Sequence, residues 1–464
     1  MEQVQDLNPK PLSVKEYLVV SSMLFGLFFG AGNLIFPIHL GQLAGAHWGL
    51  ATVGFLVTAV VLPLLSVLAV AVTRSEGVYD IGKPLGPAFA LAFMVLIHAT
   101  IGPLFGTPRT ATIPFSVGVQ PLLPASWAHA GLLVFSLLFF GAAFLISFRE
   151  SNVMSSVGKV LNPLFLLMLF AVFAMAFMAP MSHASNQSVT AAYQHASFFN
   201  GFLQGYNTMD ALAGLAFGVT VVAAVRQLGK TTPKSNARVT AKAGVLATGM
   251  IGLIYVGLIW LGATTLGHFK VSADGGVAFN QLVTYYLGNI GHALLATLLT
   301  VTCLTTAVGL VAAFAQDFHK HFSRVSYQTW LGFMCVASFL TANFGLDTII
   351  QWSTPMLMFL YPFAMVLILL SIFSPLFKRD PVVYAFVVVC TAVPALLDMV
   401  AAFPPVVSQS AFGKALGAFQ QGVLPFASLG MDWVVPAVVG AVAGLAVHVL
   451  KPVLTGQPAS ASDR

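Results

Sequence analysis

Phe28-Phe29-Gly30-Ala31-Gly32-Asn33-Leu34-Ile35-Phe36-Pro37 lies midway along an apolar run from Tyr17 to Leu40. At about 1.5 Å per helical residue the run is long enough to cross a bilayer. A plain membrane anchor has no use for its centre. Two glycines one residue apart weaken a helix, Asn33 carries an amide side chain into the hydrocarbon, and Pro37 lacks the amide hydrogen that the preceding turn uses. The pattern predicts a broken helix. In lipid a break survives only where its freed N–H and C=O groups face protein, water or a ligand, and those groups suit a small charged solute. Taken alone, the stretch has a second reading, in which small residues let two helices pack closely.

Of 464 residues 58% are hydrophobic and 7% charged, with a mean hydropathy of +0.90. That balance excludes a soluble domain or an ordinary α/β enzyme and predicts an all-α polytopic membrane protein. Met1 to Ser13 is polar and lacks a signal-peptide pattern, so the first run is expected to be retained as a span. Cys303, Cys335 and Cys390 fall inside apolar runs without metal-ligand or redox spacing. The net charge of +6 comes with no basic stripe interleaved with aromatics, so no nucleic-acid partner is expected.

Working outward, runs of spanning length occur at 15–40, 50–73, 87–118, 127–147, 157–180, 199–225, 241–267, 283–317, 327–343, 346–374, 382–403 and 433–450, which predicts twelve transmembrane helices. With the N-terminus placed inside, seventeen of the twenty basic residues fall in inner segments, and only Lys270 and Lys414 in outer loops. This asymmetry predicts both termini on the cytoplasmic side. Between the last two runs Phe412, Ala415, Leu416 and Phe419 recur at helical spacing among Ser408, Gln409, Gln420 and Gln421, as in a short helix on the outer surface. The polar tail at 452–464 is expected to be disordered, and no separate soluble domain is present.

A second interruption stands in the sixth run, from Asn200-Gly201 through Gly205-Tyr206-Asn207-Thr208-Met209-Asp210. So many polar and glycine residues inside a span are expensive unless they line a cavity. Asp210 reads either as a cap on the half-helix that follows or as a group serving a substrate or ion directly. The two breaks open two blocks of five spans, 15–180 and 199–374, followed by two further helices at 382–450. An odd number of spans per block inverts the second block, and paired broken helices in an inverted repeat mark the central site of a transporter.

Other polar groups are placed by the same reasoning. Arg109, in Gly102-Pro103-Leu104-Phe105-Gly106-Thr107-Pro108-Arg109-Thr110-Ala111-Thr112, is read as lying toward the outer end of the third span, snorkelling or structurally paired, with an outer gate as the alternative. Thr302, Thr305 and Thr306 share a face of the eighth span, where they either offer oxygens to a hard monovalent cation or bond back to the helix carbonyls. His98 is read as a packed core histidine, Asp398 as reaching the interface, and Gln351, Ser353, Thr354 and Pro355 as a kink or a vestibule wall.

With these motifs in place the chain resembles the bacterial branched-chain amino acid carrier family, type II, the BrnQ-type carriers. The resemblance rests on Phe29 to Pro37, Gly102 to Thr112 and Asn200 to Asp210, and it runs from the first helix to the last. It implies a LeuT-like fold of five plus five helices and import of leucine, isoleucine and valine with a cation, usually sodium, across the bacterial inner membrane. It also implies site residues. Backbone oxygens of Gly26 and Phe29, the Thr302 carbonyl and the Thr305 and Thr306 hydroxyls would hold sodium. Gly30, Ala31, Gly32 and Asn33 would take the substrate carboxylate at a half-helix N-terminus, carbonyls at Gly205, Tyr206 and Asn207 the ammonium, and Phe105 and Tyr206 would wall an apolar pocket, with Asp210 beside them.

No cofactor is expected beyond the coupling ion. A membrane enzyme needs clustered carboxylates, a metal site or a nucleophile with its base, and a channel needs a lined pore; neither pattern stands out. Proton coupling through Asp210, or a different amino acid or a nucleobase as substrate, remains the alternative within the transporter class. The topology is tested directly by single cysteines placed at Ser185 and Ser235 in a cysteine-free background. The first is expected to label only from outside and the second only from inside; labelling of both from one face would remove the inverted repeat.

Overall fold

The structure, a computed structural model, describes residues 11–30, 32–148 and 153–454. Every regular element among the described residues is helical. The first run forms α1 (Val14–Phe28) and α2 (Gly32–Ala44); a tight turn at Gly45–His47 leads into α3 (Trp48–Leu56) and α4 (Leu62–Thr73), joined by a wider-wound turn at Val57–Val61. α5 (Val78–Gly82) precedes α6 (Pro87–Ala99) and α7 (Gly106–Pro114), followed by α8 (Ala128–Ser147) and α9 (Val153–Met178). The sixth run is split into α10 (Ala191–Gln204) and α11 (Asp210–Gln227). Then come α12 (Pro233–Thr265), α13 (Gly275–His321), α14 (Tyr327–Ala342), α15 (Leu346–Phe373), α16 (Pro381–Ala402), α17 (Pro405–Ser408), α18 (Ala411–Val423) and α19 (Val434–Leu454). Among the described residues nine helical segments are long and apolar enough to cross a membrane. α1 and α10, with 15 and 14 residues, fall short alone because each is one part of a broken run.

The first break lies in the expected stretch, but proline does not make it. α1 ends at Phe28 and the chain turns extended at Phe29 (φ −80°, ψ 99°), whereas Pro37 sits inside α2, which continues through it. The second break is a tight turn at Gly205–Thr208 closed by Met209 in the left-handed region (φ 59°, ψ 9°). A third break was not expected. The backbone leaves helical geometry at Gly102 (ψ −124°) and Phe105 (φ −138°), so α6 and α7 are separate pieces of one crossing. Its signal was present in Gly102-Pro103 and Gly106-Thr107-Pro108. Likewise Gly288 (φ 62°) divides α13, so the eighth span starts after it and not at 283.

Two close helix contacts frame the interrupted pair. A β-carbon on Gly41 of α2 would meet the Ile259 carbonyl at 2.0 Å, and one on Gly262 of α12 would meet the Ile38 carbonyl at 2.0 Å. The same reciprocal geometry joins α3 to α10, where a β-carbon on Gly54 would meet the Phe198 carbonyl at 1.9 Å and one on Gly201 the Ala51 carbonyl at 2.0 Å. Such backbone approach is how membrane helices gain van der Waals contact without a hydrophobic drive.

The predicted surface helix exists as α18, with Phe412 and Phe419 exposed. Gln420, however, is buried, and its Nε2 donates to Asp398 Oδ1 at 2.7 Å and to Asp432 Oδ2 at 2.9 Å. Asp398 therefore does not reach the interface; it is 3% exposed, because one amide offers a hydrogen to each of two carboxylates and ties α18 to α16 and to the start of α19. The tail expected to be disordered begins as the last turn of α19, and residues 455–464 lie outside the described residues.

Gln420→Leu keeps the volume and removes both hydrogens. Leaving buried carboxylates without that donor costs about 1–3 kcal/mol each, so the variant is expected to unfold at lower temperature and to become protease-sensitive around α18. An unchanged melting temperature and digestion pattern would mean that the amide does not hold this layer.

Candidate functional site

The two interrupted crossings meet through side chains at their broken points. Asn33, buried at the start of α2, accepts from the Gly30 amide at 2.8 Å through Oδ1 and donates through Nδ2 to Asp210 Oδ2 at 2.7 Å and to the Tyr255 hydroxyl. Tyr255, from α12, donates in turn to Asp210 Oδ2 at 3.1 Å. Asp210 thus does not cap α11: Met209 stands at the cap position with no side-chain bond, and the carboxylate is turned toward Asn33 and Tyr255. Its place in the first turn sets the carboxyl group at the positive end of a helix dipole. The two hydrogen bonds give a buried acceptor, Oδ2, the partners it would otherwise lack.

Arg109 stands on the same cavity. It is 3% exposed and neither snorkels nor sits toward an outer end. The breaks at Gly102 and Phe105 turn α7 so that the guanidinium reaches the sixth crossing, where Nη1 donates to the Asn207 carbonyl at 2.9 Å. Nη2 donates to the Ser353 hydroxyl from α15, and Cζ lies 5.0 Å from the centre of the Phe36 ring. Among the described residues no carboxylate pairs with it.

Between these groups is a cavity of about 80 Å³ whose wall includes Gly30, Gly32, Asn33, Arg109, Asn207, Asp210 and Thr306. A wider cavity of about 750 Å³ lies beyond it, lined by Phe36, His39, Tyr206, Asn207, Asp274 and Asp347 among others. Asn207 faces both, so the partition is the layer of Arg109, Phe36 and Asn207. α7 and α11 begin at this place without a side-chain cap. By contrast α12, α13, α14, α16 and α18 are capped by Thr232, Asp274, Ser326, Asp380 and Ser410.

The remaining expected site residues divide. Ala31 lies outside the described residues. Gly205 is buried, with Thr58 Oγ1 2.0 Å from where its β-carbon would stand, and it is not on the central wall. Tyr206 stacks on Tyr361 at 4.1 Å and faces the wide cavity, and Phe105 is half-buried off the central wall. Gln351 and Thr354 line the wide cavity as well, while Ser353 turns to Arg109. Of the ion candidates only Thr306 lines the central cavity, beside Gly30, where a β-carbon would lie 3.9 Å from its Oγ1. Thr305 and Thr306 both donate to the Thr302 carbonyl, at 2.7 and 3.3 Å, which leaves their oxygen lone pairs available. Gly26 is exposed on α1, and the Phe29 amide bonds the Phe25 carbonyl at 2.8 Å. His98 packs among Phe217, Phe314 and Phe318, with Nε2 3.2 Å from Asp317. Among the described residues no group of three or more His, Cys, Asp or Glu could hold a metal ion.

Residues 13–451 match the model of a family described as branched-chain amino acid transport protein. A branched-chain amino acid permease, BrnQ, of Lactobacillus delbrueckii subsp. lactis is 40% identical over 92% of this chain and 96% of its own. The permease BraB of Bacillus subtilis is 38% identical over 93% and 95%, and the BrnQ permease of Escherichia coli 35% over 92% and 94%. Two solved structures share the fold at low identity. MhsT in complex with L-phenylalanine has a TM-score of 0.53 and 16% identity over 95% of this chain and 99% of its own. Mhp1, a nucleobase-cation-symport-1 family transporter in a closed conformation, has a TM-score of 0.58 and 12% identity over 96% of each chain.

The bridge between the breaks is open to a double-mutant cycle. Asn33→Leu removes one of the two donors to a buried carboxyl group and Tyr255→Phe the other, and each is expected to destabilise the protein by about 1–3 kcal/mol. Asp210→Leu in the Asn33→Leu background is expected to add much less than it does alone, read by thermal unfolding; strict additivity would mean that the two residues do not share one interaction.

Proposed function

The chain belongs to the branched-chain amino acid transport protein family, and from that premise we propose that it is a secondary symporter importing leucine, isoleucine and valine with a monovalent cation, sodium foremost, by alternating access. The observation that carries this reading is the meeting of two broken crossings around one small cavity, joined by Asn33 and Asp210. Interrupted helices bring freed backbone groups and helix ends to mid-membrane, which is what a zwitterion and an ion need there.

The finer architecture belongs to the same proposal. It has twelve crossings in a bacterial cytoplasmic membrane, both termini inside, with two five-helix repeats of opposite orientation and two added helices. Support for the repeat comes from glycine contacts after each break, since α2 packs on α12 of the seventh crossing through Gly41 and α11 packs on α4 of the second through Gly214 and Gly218. An inverted repeat exchanges those helix pairs. On this topology the wide cavity opens outward and serves as the entry vestibule.

For the substrate we assign the wall formed by Gly30, Gly32, Asn33, Asn207 and Asp210. For the ion we assign Thr306 with the Thr302 carbonyl and the Thr305 hydroxyl behind it, and backbone oxygens of the Gly26 to Phe29 segment. Proton coupling is the second reading, and it is favoured by Asp210, a carboxylate on the cavity wall.

Uptake of labelled leucine into vesicles, with sodium, lithium and proton gradients imposed separately and with isoleucine and valine as competitors, tests the proposal. Sodium is expected to drive uptake, and Thr306→Val to raise the half-saturating sodium concentration about tenfold, a loss near 1.4 kcal/mol. Uptake driven only by a proton gradient and unaltered by Thr306→Val would replace sodium with protons at Asp210. Failure of isoleucine and valine to compete would change the substrate class.

A further inference from the structure

We propose that Arg109 is the anchor for the substrate's carboxylate. The inference rests on the transport reading above and names the group that recognises one end of the amino acid. A guanidinium carries five N–H donors. Among the described residues two bonds from Arg109 go to protein, both to neutral oxygens, and its buried Nε has no partner. A cation held in a membrane interior needs a counter-charge.

The carboxyl group that shares its cavity does not pair with it. Asp210 lines the same wall, but its Oδ2 accepts from Asn33 and Tyr255, and among the described residues no ion pair joins it to Arg109. Among the described residues Arg109 therefore keeps an unpaired positive charge facing a cavity. An incoming carboxylate would meet a flat fork of donors that its two oxygens fit side by side. Asp210 places a carboxyl group on the same wall, so the cavity offers donors for one end of a zwitterion and an acceptor for the other.

The position is fixed before substrate arrives. Ser353, whose hydroxyl also donates to the Ile350 carbonyl at 2.9 Å, and the Asn207 carbonyl orient the fork, and the Phe36 face covers it. Backbone amides at the first break are the competing anchor. Of these the Gly30 amide is already taken by Asn33 Oδ1.

Equilibrium binding to the full-length carrier in lipid nanodiscs tests the assignment with two probes, leucine and leucinamide, the second lacking the carboxylate. The unaltered protein is expected to prefer leucine strongly. Arg109→Gln should weaken leucine by about tenfold or more while leucinamide changes less than about twofold, so the preference collapses. Arg109→Lys, which keeps a charge without the fork, should fall between them and serves in its place if Arg109→Gln does not fold by thermal unfolding. Retention of the full leucine preference by either folded variant overturns the assignment and returns the carboxylate to the backbone around Gly32. If the unaltered carrier binds none of leucine, isoleucine and valine, the transport reading itself has failed, whatever the variants do.

Discussion

Asp210 is a carboxylate in a membrane protein's interior, held by an amide from one broken crossing and a phenol from a neighbouring helix. Much of the centre follows from that arrangement. A break in a membrane helix frees backbone groups and invites collapse, so the two broken points need a reason to stay beside one another. The hydrogen bonds from Asn33 and Tyr255 supply it, because separating them would leave a buried carboxyl group without donors in a medium of low dielectric. Asn33 acts twice. Its oxygen receives the Gly30 amide, which orders the turn between α1 and α2, and its nitrogen reaches α11, so one residue shapes its own break and fastens it to the other.

The third broken crossing adds a guanidinium. Without the departures at Gly102 and Phe105, α7 would continue the line of α6, and Arg109 would meet different neighbours. With them, the guanidinium joins the sixth crossing to α15 and forms, with Phe36, the partition between the two cavities. A charge is costly at this depth, and the guanidinium is met by the Asn207 carbonyl, the Ser353 hydroxyl and the face of Phe36. The partition consists of side chains and one carbonyl, which is a thin separation by comparison with the helices around it.

The all-helical, apolar character of the chain was legible from hydropathy, and the two main breaks from Gly30, Gly32 and Asn33 and from Gly205 to Asp210, because a polar or flexible residue within an apolar run is a local signal. Partners were not legible. Tyr255 is a single tyrosine in an otherwise ordinary span, and nothing near it in sequence announces a bond to a residue 45 positions away. Arg109 was misplaced for a related reason: counting residues from the end of a span assumes an unbroken helix, and the Gly-Pro and Gly-Thr-Pro punctuation that breaks this one was read only as the surroundings of the arginine. Gln420 shows the same limit, since a polar residue on an amphipathic helix is assigned to water unless the carboxylates that bury it are known. Periodicity reports which face of an element is apolar; it does not report what an exceptional polar group meets across the fold.

A site with fixed charges and an apolar remainder discriminates unequally between the two ends of its ligand. Removing a group that a buried donor was built to meet leaves that donor unsatisfied, a loss that can reach about 10⁴-fold, whereas one methylene in an apolar pocket changes binding by only about 10–200-fold. On the proposed assignment, Arg109 and Asp210 demand an α-amino acid strictly, while apolar neighbours such as Leu27, Ile101 and Leu310 on the same wall set size and polarity loosely. Leucine, isoleucine and valine differ from one another by no more than a methylene or its position. A carrier organised in this way accepts all three as one class, and its selectivity against other solutes resides mainly in the polar head that they share.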